Sequence, residues 1–182
     1  CYQRTNLDKL TLTEVEPVFD AANILRCNND ILYLLSNTGN KLGAQWLQNF
    51  LGSEYRVHIL ENLYSYVHLD STIALLREGL CLLNPDRVNE DNIPEVLKSW
   101  DKIWCPDMVD IGHYPNYNHA SVWIGINLLS LNSNLVICDE NQKELHKELY
   151  KNNIEVIPMK LRHSRTLGGS VHCVTLDTWR EE

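Results

Sequence analysis

The stretch "LGGSVHCVTLD", residues 167 to 177, sets a cysteine in an alternating apolar segment entered through two glycines. The glycines point to a tight or closely approached backbone, and the alternation predicts a short strand around Cys173. On a strand His172 and Cys173 serve opposite faces, so any base for the thiol must come from another element. Asp20, His68 and Ser121 recur with Cys173 at intervals of about 50 residues. A thiolate, an imidazole and a carboxylate brought together can attack an electrophilic carbon, move protons and fix the imidazole tautomer. Asp70 follows in "VHLD" and would share the face of His68 on a strand. A second carboxylate beside a Cys/His pair suits a cation, and a guanidinium fits because its planar fork donates in pairs to carboxylates. Arg87, in "NPDR", is of the type that binds a substrate carboxylate, with Ser121 assisting.

Each of these residues also has a structural reading. Cys173 can be a buried small hydrophobe, Asp20 the cap of a turn, and His68 a satisfied, partly buried histidine. Arg87 can pair at the surface with Asp86 or Glu90. Cys105, Asp107, His113 and His119 include metal-ligand types, but their spacing matches no compact zinc pattern. "LGGS" lacks the lysine of a phosphate loop.

The elements that must position these groups repeat in the order strand, strand, helix, strand. In the first unit "NILR" and "DILYLL" read as strands, and "KLGAQWLQNFLG" as a helix with Leu42, Trp46, Leu47, Phe50 and Leu51 on one face, stopped by Gly52. "YRVHIL" closes it. The second unit runs from "HLDSTIALL" and "LCLLN" through a helix predicted over "NIPEVLKSW", with Pro94 in its first turn, to "KIWC". The third has "SVWIGINLLSL" and "LVICD" as strands, then the helix "NQKELHKELYKN" with Asn141 as its cap and Leu145 and Leu149 on one face, then "IEVIP". Successive units of this kind suggest radial repetition, which brings equivalent positions to a common axis.

The 182 residues predict one α/β domain with a substantial core. A net charge of −8 argues against nucleic acid or an anionic membrane surface as partner. Six scattered cysteines form no secreted-type framework and read as reduced thiols. With no apolar run of spanning length and no basic leader, a cytoplasmic setting is expected.

Together, "TEVEPVFDAANILR", "YRVHI" with "VHLDST", "NPDR", "SVWIGINLL" and "LGGSVHCVTLD" resemble the arginine:glycine amidinotransferases and their relatives, in order and spacing from Thr13 to Asp177. The resemblance implies a pentein-type α/β-propeller of five segments, of which this chain would hold about three, as the C-terminal half. It implies that L-arginine is the donor, that Cys173 attacks the guanidino carbon, and that His68 protonates the departing ornithine and then deprotonates an amine acceptor, glycine or a biosynthetic amine. Asp20 would orient His68, Asp70 would hold the guanidinium, and Arg87 and Ser121 would bind the α-carboxylate end. No metal or organic cofactor is implied. Asn23 stands where the family commonly shows a second aspartate. A missing N-terminal half would carry another substrate-binding carboxylate; without it, or without a second copy, strand edges and apolar faces should be exposed. A hydrolase of the same superfamily, making citrulline, and a non-catalytic arginine-binding protein are the rival expectations.

Overall fold

Two asparagines between apolar runs make the first hairpin. In the computed structural model, which describes residues 12–63, 66–110, 121–176 and 178, β1 (Ile24–Cys27) pairs antiparallel with β2 (Asp30–Leu34) through a turn in which Asn28 takes a φ of 54°. Asparagine tolerates that left-handed conformation better than most residues. Helix α1 (Lys41–Leu51) then begins on Asn40, whose side chain accepts the Gly43 N–H at 2.8 Å, while Glu14 accepts the N–H groups of Lys41 and Leu42. Three otherwise orphaned donors are thereby satisfied. Gly52, at a φ of 74°, ends the helix as expected, and β3 (Arg56–Leu60) lies parallel to β2.

The buried side of α1 differs from the predicted one. Gly43 and Ala44 are buried, whereas Trp46 and Phe50 stack on each other at 5.2 Å in the open, Phe50 being 72% exposed. Leu47 of the predicted face does pack on the core, and the small residues explain the rest, because they let the helix backbone press against the preceding segment. A Cβ on Gly43 would sit 2.5 Å from the Val18 carbonyl oxygen and 2.6 Å from the Tyr33 hydroxyl. Gly43→Ala is therefore expected to destabilise the chain by about 1–3 kcal/mol through overpacking, seen as a lowered midpoint in thermal or urea unfolding.

The second segment pairs β4 (Ile73–Arg77) antiparallel with β5 (Leu80–Leu83) across Gly79, and β5 parallel with β6 (Asp101–Trp104). Between β5 and β6 the predicted helix is only a 3-10 turn, Glu95–Leu97. Pro94 makes no side-chain cap there, and Ile93 and Leu97 form the segment's one buried i, i+4 pair. One such pair does not offset the cost of nucleating a longer helix. The predicted strand "HLDSTIALL" likewise starts late: His68 to Thr72 form a turn, and β4 begins at Ile73.

In the third segment the first strand is also shorter than expected. "SVWIGI" winds into a 3-10 turn, Val122–Ile126, before β7 (Leu129–Asn132). Gly125 packs so closely that a Cβ would meet Met108 Sδ at 2.6 Å and Gln142 Cδ at 2.9 Å. β8 (Leu135–Asp139) pairs antiparallel with β7, α2 (Lys143–Lys151) follows, and β9 (Glu155–Met159) lies parallel to β8. Leu145 and Leu149 are fully buried, as their spacing requires. Asn141 is not the cap of α2. Gln142 occupies that position without a side-chain capping bond, its carboxamide being paired with the Val109 backbone, and Asn141 instead donates to Asp139 Oδ1 from both its backbone and its carboxamide.

Each sheet thus has its second strand in the centre, antiparallel to one neighbour and parallel to the other. This is a mixed α/β chain built of the expected segments, with the helix reduced to a turn in the second. The backbone forms two compact units, one of residues 1–72 with 85–100 and the other of 73–84 with 101–182. The first is organised on Tyr33, Leu35 and Ala44, with Phe19, Leu47 and Val57 against them. The second has a larger core that includes Leu82, Ile103, Ile126, Val136, Leu145 and Leu149. Apolar side chains of strand edges are exposed in both: Ile59 of β3, and Ile157 and Met159 of β9. Among the described residues no helix is long and apolar enough to cross a membrane.

Candidate active site

Asp20 does two things at once. It caps the 3-10 turn Ala21–Asn23, its Oδ1 accepting the N–H groups of Ala22 and Asn23 at 3.0 and 3.2 Å, while its Oδ2 lies 3.1 Å from His68 Nε2. The capping reading of Asp20 is correct, and it is also what aims the second oxygen at the imidazole. With one carboxylate oxygen held by two backbone donors, the other is fixed in direction. A carboxylate facing Nε2 favours the tautomer with the proton on Nε2, leaving the Nδ1 lone pair for chemistry. His68 is held from its own side as well, because the N–H of buried Leu69 donates to the Ala22 carbonyl at 3.0 Å. Both side chains remain partly open, at 38% for His68 and 43% for Asp20.

Asn23, at the aspartate position of the resemblance, is completely buried. Ser36 donates to its Oδ1 at 2.8 Å, and its Nδ2 donates to Thr38 Oγ1 at 3.1 Å. A carboxylate at 23 would have to bury its charge among hydroxyls, whereas the carboxamide offers both a donor and an acceptor there.

Asp70 lies in the turn His68–Thr72 rather than on a strand, so alternation no longer relates it to His68. The turn is closed by the Thr72 N–H on the Leu69 carbonyl at 2.8 Å, and Asp70, Ser71 and Thr72 are all buried. Arg87 braces it: Nη1 donates to Ser71 Oγ at 3.0 Å, Thr72 Oγ1 at 2.9 Å and the Ser71 carbonyl at 3.3 Å. The first unit therefore brings together Asp20 and His68, and carries Asp70 in a turn braced by Arg87.

Cys173 and Ser121 belong to the second unit. The strand predicted around Cys173 is instead a 3-10 turn, His172–Val174. Its chain is drawn out of any strand path by Asn127, whose side-chain oxygen accepts the Cys173 N–H at 3.2 Å and whose carbonyl accepts the His172 N–H at 3.4 Å. The two glycines act as the sequence suggests. Gly168, at a φ of 90°, caps the preceding 3-10 turn Arg165–Leu167 in the left-handed conformation. Gly169 lets the backbone approach the thiol, since a Cβ there would be 3.1 Å from Cys173 Cβ. Ser121 accepts the Trp123 N–H at 3.3 Å and so caps the 3-10 turn that ends at Asn127.

Cys173 is exposed, which removes the buried-hydrophobe reading, whereas Cys27, Cys81, Cys105 and Cys138 are buried and none of these five is in a disulfide. Burial pushes the Cys105 thiol well above its usual range and the Cys138 thiol up to about 12. Thiolates are the nucleophiles, and the Cys105 and Cys138 thiols stay protonated. Iodoacetamide at mild alkaline pH is therefore expected to label Cys173 at least about tenfold faster than the four buried cysteines, read by peptide mass spectrometry. Cys1, His113 and His119 lie outside the described residues. Among the described residues no three His, Cys, Asp or Glu side chains converge on a point.

Sequence reasoning missed two buried polar residues of the second unit. Asn127 is buried inside "SVWIGINLL", where nothing in an apolar run marks one polar residue as structural or functional. Arg165 is 2% exposed, with Nη1 3.6 Å from buried Asp139 Oδ2; burial lowers its pKa while Asp139 and Asp110 oppose that shift. A buried guanidinium needs such a partner, because an unpaired charge there is strongly destabilising.

No protein-family model matches the chain. It is 54% identical over 169 residues to inosamine-phosphate amidinotransferase 1 of Streptomyces glaucescens, covering 93% of this chain and 49% of that protein. It is 37% identical over 172 residues to the L-arginine:L-lysine amidinotransferase of Pseudomonas savastanoi pv. phaseolicola, covering 94% of this chain and 47% of the relative. Among solved structures it superposes on the inosamine-phosphate amidinotransferase of Streptomyces griseus with a TM-score of 0.92 at 52% identity, over 94% of this chain and 49% of that one. The amidinotransferase of a saxitoxin pathway from Microseira wollei also gives a TM-score of 0.92, at 35% identity, over 100% of this chain and 54% of that one. The chain thus spans about half the length of the relatives it matches. With such identities holding over nearly all of its residues, on a shared backbone, the chain belongs to the amidinotransferase family and has its pentein fold.

Proposed function

We propose that this chain carries the nucleophile and the proton-transfer pair of an enzyme that moves an amidino group from L-arginine to an amine acceptor. In this reading the Cys173 thiolate attacks the guanidino carbon; the new S–C bond forms, and the bond from that carbon to the ornithine nitrogen breaks. The departing amine takes its proton from His68, and an amidino-cysteine remains. His68 then accepts a proton from the incoming amine, whose nitrogen displaces the sulfur and regenerates the thiolate. Asp20 keeps the imidazole in the working tautomer and stabilises its protonated form. Asp70 is assigned to the guanidinium, and Arg87 and Ser121 to the α-carboxylate end of the donor.

The observation that carries this reading is the Asp20–His68 pair, 3.1 Å apart, with the second carboxylate oxygen tied to two backbone donors. That is an orienting arrangement for a proton-transfer imidazole. The names of the relatives supply the acceptor chemistry to be tested first, a phosphorylated aminocyclitol, followed by lysine and glycine. The reading includes a cytoplasmic setting, where such small polar reactants occur.

The test uses the polypeptide of the complete reading frame that contains this chain. Incubation with arginine followed by an acid quench is expected to leave an amidino group on the peptide of Cys173, and addition of the accepting amine to discharge it into a guanidino product. Citrulline in place of that product would move the protein to the hydrolases. Arginine bound without any adduct would overturn the enzymatic reading in favour of a binding protein.

A further inference from the structure

Asn127 makes a set of contacts that its burial alone does not call for. It is 1% exposed, its own N–H closes the 3-10 turn Val122–Ile126 on the Ile124 carbonyl, and its carbonyl and side-chain oxygen accept the N–H groups of His172 and Cys173. Three of its four backbone and carboxamide polar groups are thus spent on two pieces of chain far apart in sequence. The fourth, Nδ2, is buried and has no hydrogen-bond acceptor among the described residues. A buried donor left unpaired costs stability, so an apolar residue of similar size would serve a purely structural position at least as well.

Gly169 also lies close to the cysteine, since a Cβ built on it would stand 3.1 Å from Cys173 Cβ. The thiol-bearing residue is therefore tied through its backbone N–H and closely approached by the Gly169 backbone, although the residue itself is exposed. The same 3-10 turn that ends at Asn127 begins at Ser121, whose hydroxyl caps it. One five-residue element, packed on Gln142 and Met108 at Gly125, joins a residue assigned to the donor's carboxylate end to the residue that holds the nucleophile.

We propose that Asn127 is the positioning residue of Cys173: through its two acceptors it sets the place of the thiol, and through the Ser121–Asn127 turn it couples that place to the donor-binding end of the site. The inference rests on the reading of Cys173 as the nucleophile. Positioning of this kind acts on the reaction rather than on the fold, since an ångström of displacement in a reacting group is costly to rate.

The experiment compares wild type with Asn127→Ala, which withdraws the side-chain acceptor, Asn127→Asp, which keeps it, and Leu145→Ala, which weakens the same unit's core without touching the clamp. Cys173 alkylation by iodoacetamide is followed by peptide mass spectrometry well below each melting midpoint, together with amidino-adduct formation from arginine. Asn127→Ala is expected to change the Cys173 alkylation rate by about tenfold or more and to cut adduct formation by about 100-fold, with Asn127→Asp recovering most of the alkylation behaviour and Leu145→Ala leaving both near wild type. If Asn127→Ala does not fold, Asn127→Ser makes the same comparison with a shorter polar group. Alkylation and adduct rates that are unchanged in Asn127→Ala, or that shift equally in Leu145→Ala, would overturn the proposal. The failure of the nucleophile reading looks different: wild type would form no adduct, yet the alkylation rates would still separate the Asn127 variants.

Discussion

Replacement of Cys173 by serine is expected to eliminate the amidino adduct, with a loss of at least about 10⁴-fold in its formation. Serine keeps the shape and the backbone bond to Asn127, but a hydroxyl is a far poorer nucleophile than a thiolate without a stronger base. Because Cys173 is exposed and belongs to a 3-10 turn held by backbone groups, the melting midpoint should stay within about 2 °C of wild type. Acid-quenched mass spectrometry and thermal unfolding together decide the matter. An adduct that persists in the serine variant on another cysteine would remove Cys173 from the mechanism, and a large drop in melting midpoint would make it a packing residue.

Asp20→Asn separates orientation from capping, because the two carboxylate oxygens have different tasks. Asparagine is as good an N-cap as aspartate, so the Oδ1 bonds to Ala22 and Asn23 should survive and stability should hardly change. The group facing His68 Nε2 becomes an NH₂ donor. Nε2 must then accept, the proton moves to Nδ1, and the nitrogen that should take a proton from the acceptor amine is already occupied. A fall in turnover of about 10³–10⁴-fold with an unchanged melting midpoint is expected. Asp20→Ala, which also removes the cap, should in addition lose about 1 kcal/mol of stability. Turnover within threefold of wild type in the asparagine variant would show that the Asp20–His68 contact is structural only.

How far the sequence disclosed this molecule depends on where its pattern is local. The strands of all three sheets and both α-helices were legible, because each is an apolar run or a helical stripe, the first helix with its own stop signal in Gly52. The misread segments are those in which side chains from elsewhere override local preference. "VHLD" and "SVHCV" alternate like strands, yet one is bent by the Leu69 bond to Ala22 and the bracing of Arg87, and the other by Asn127. "SVWIGI" reads as β-branched strand, but close packing at Gly125 and the Ser121 cap wind it into a turn. The helix over "NIPEVLKSW" lacked a cap and a second buried pair. The candidate site residues were therefore named by type and spacing while their conformations were not, and Asn127, whose acceptors serve a segment 45 residues on, left no trace in an apolar stretch.

The way the backbone is shared between the two compact units has a mechanical consequence. The chain passes from one to the other after residue 72, returns after 84 and leaves again after 100. The bodies are therefore joined covalently at three points of the chain rather than by one linker. During synthesis the earlier body cannot finish until residue 100 has left the ribosome, by which time the β4–β5 hairpin of its neighbour has already emerged. No single cut in the gene yields either body free of a piece of the other.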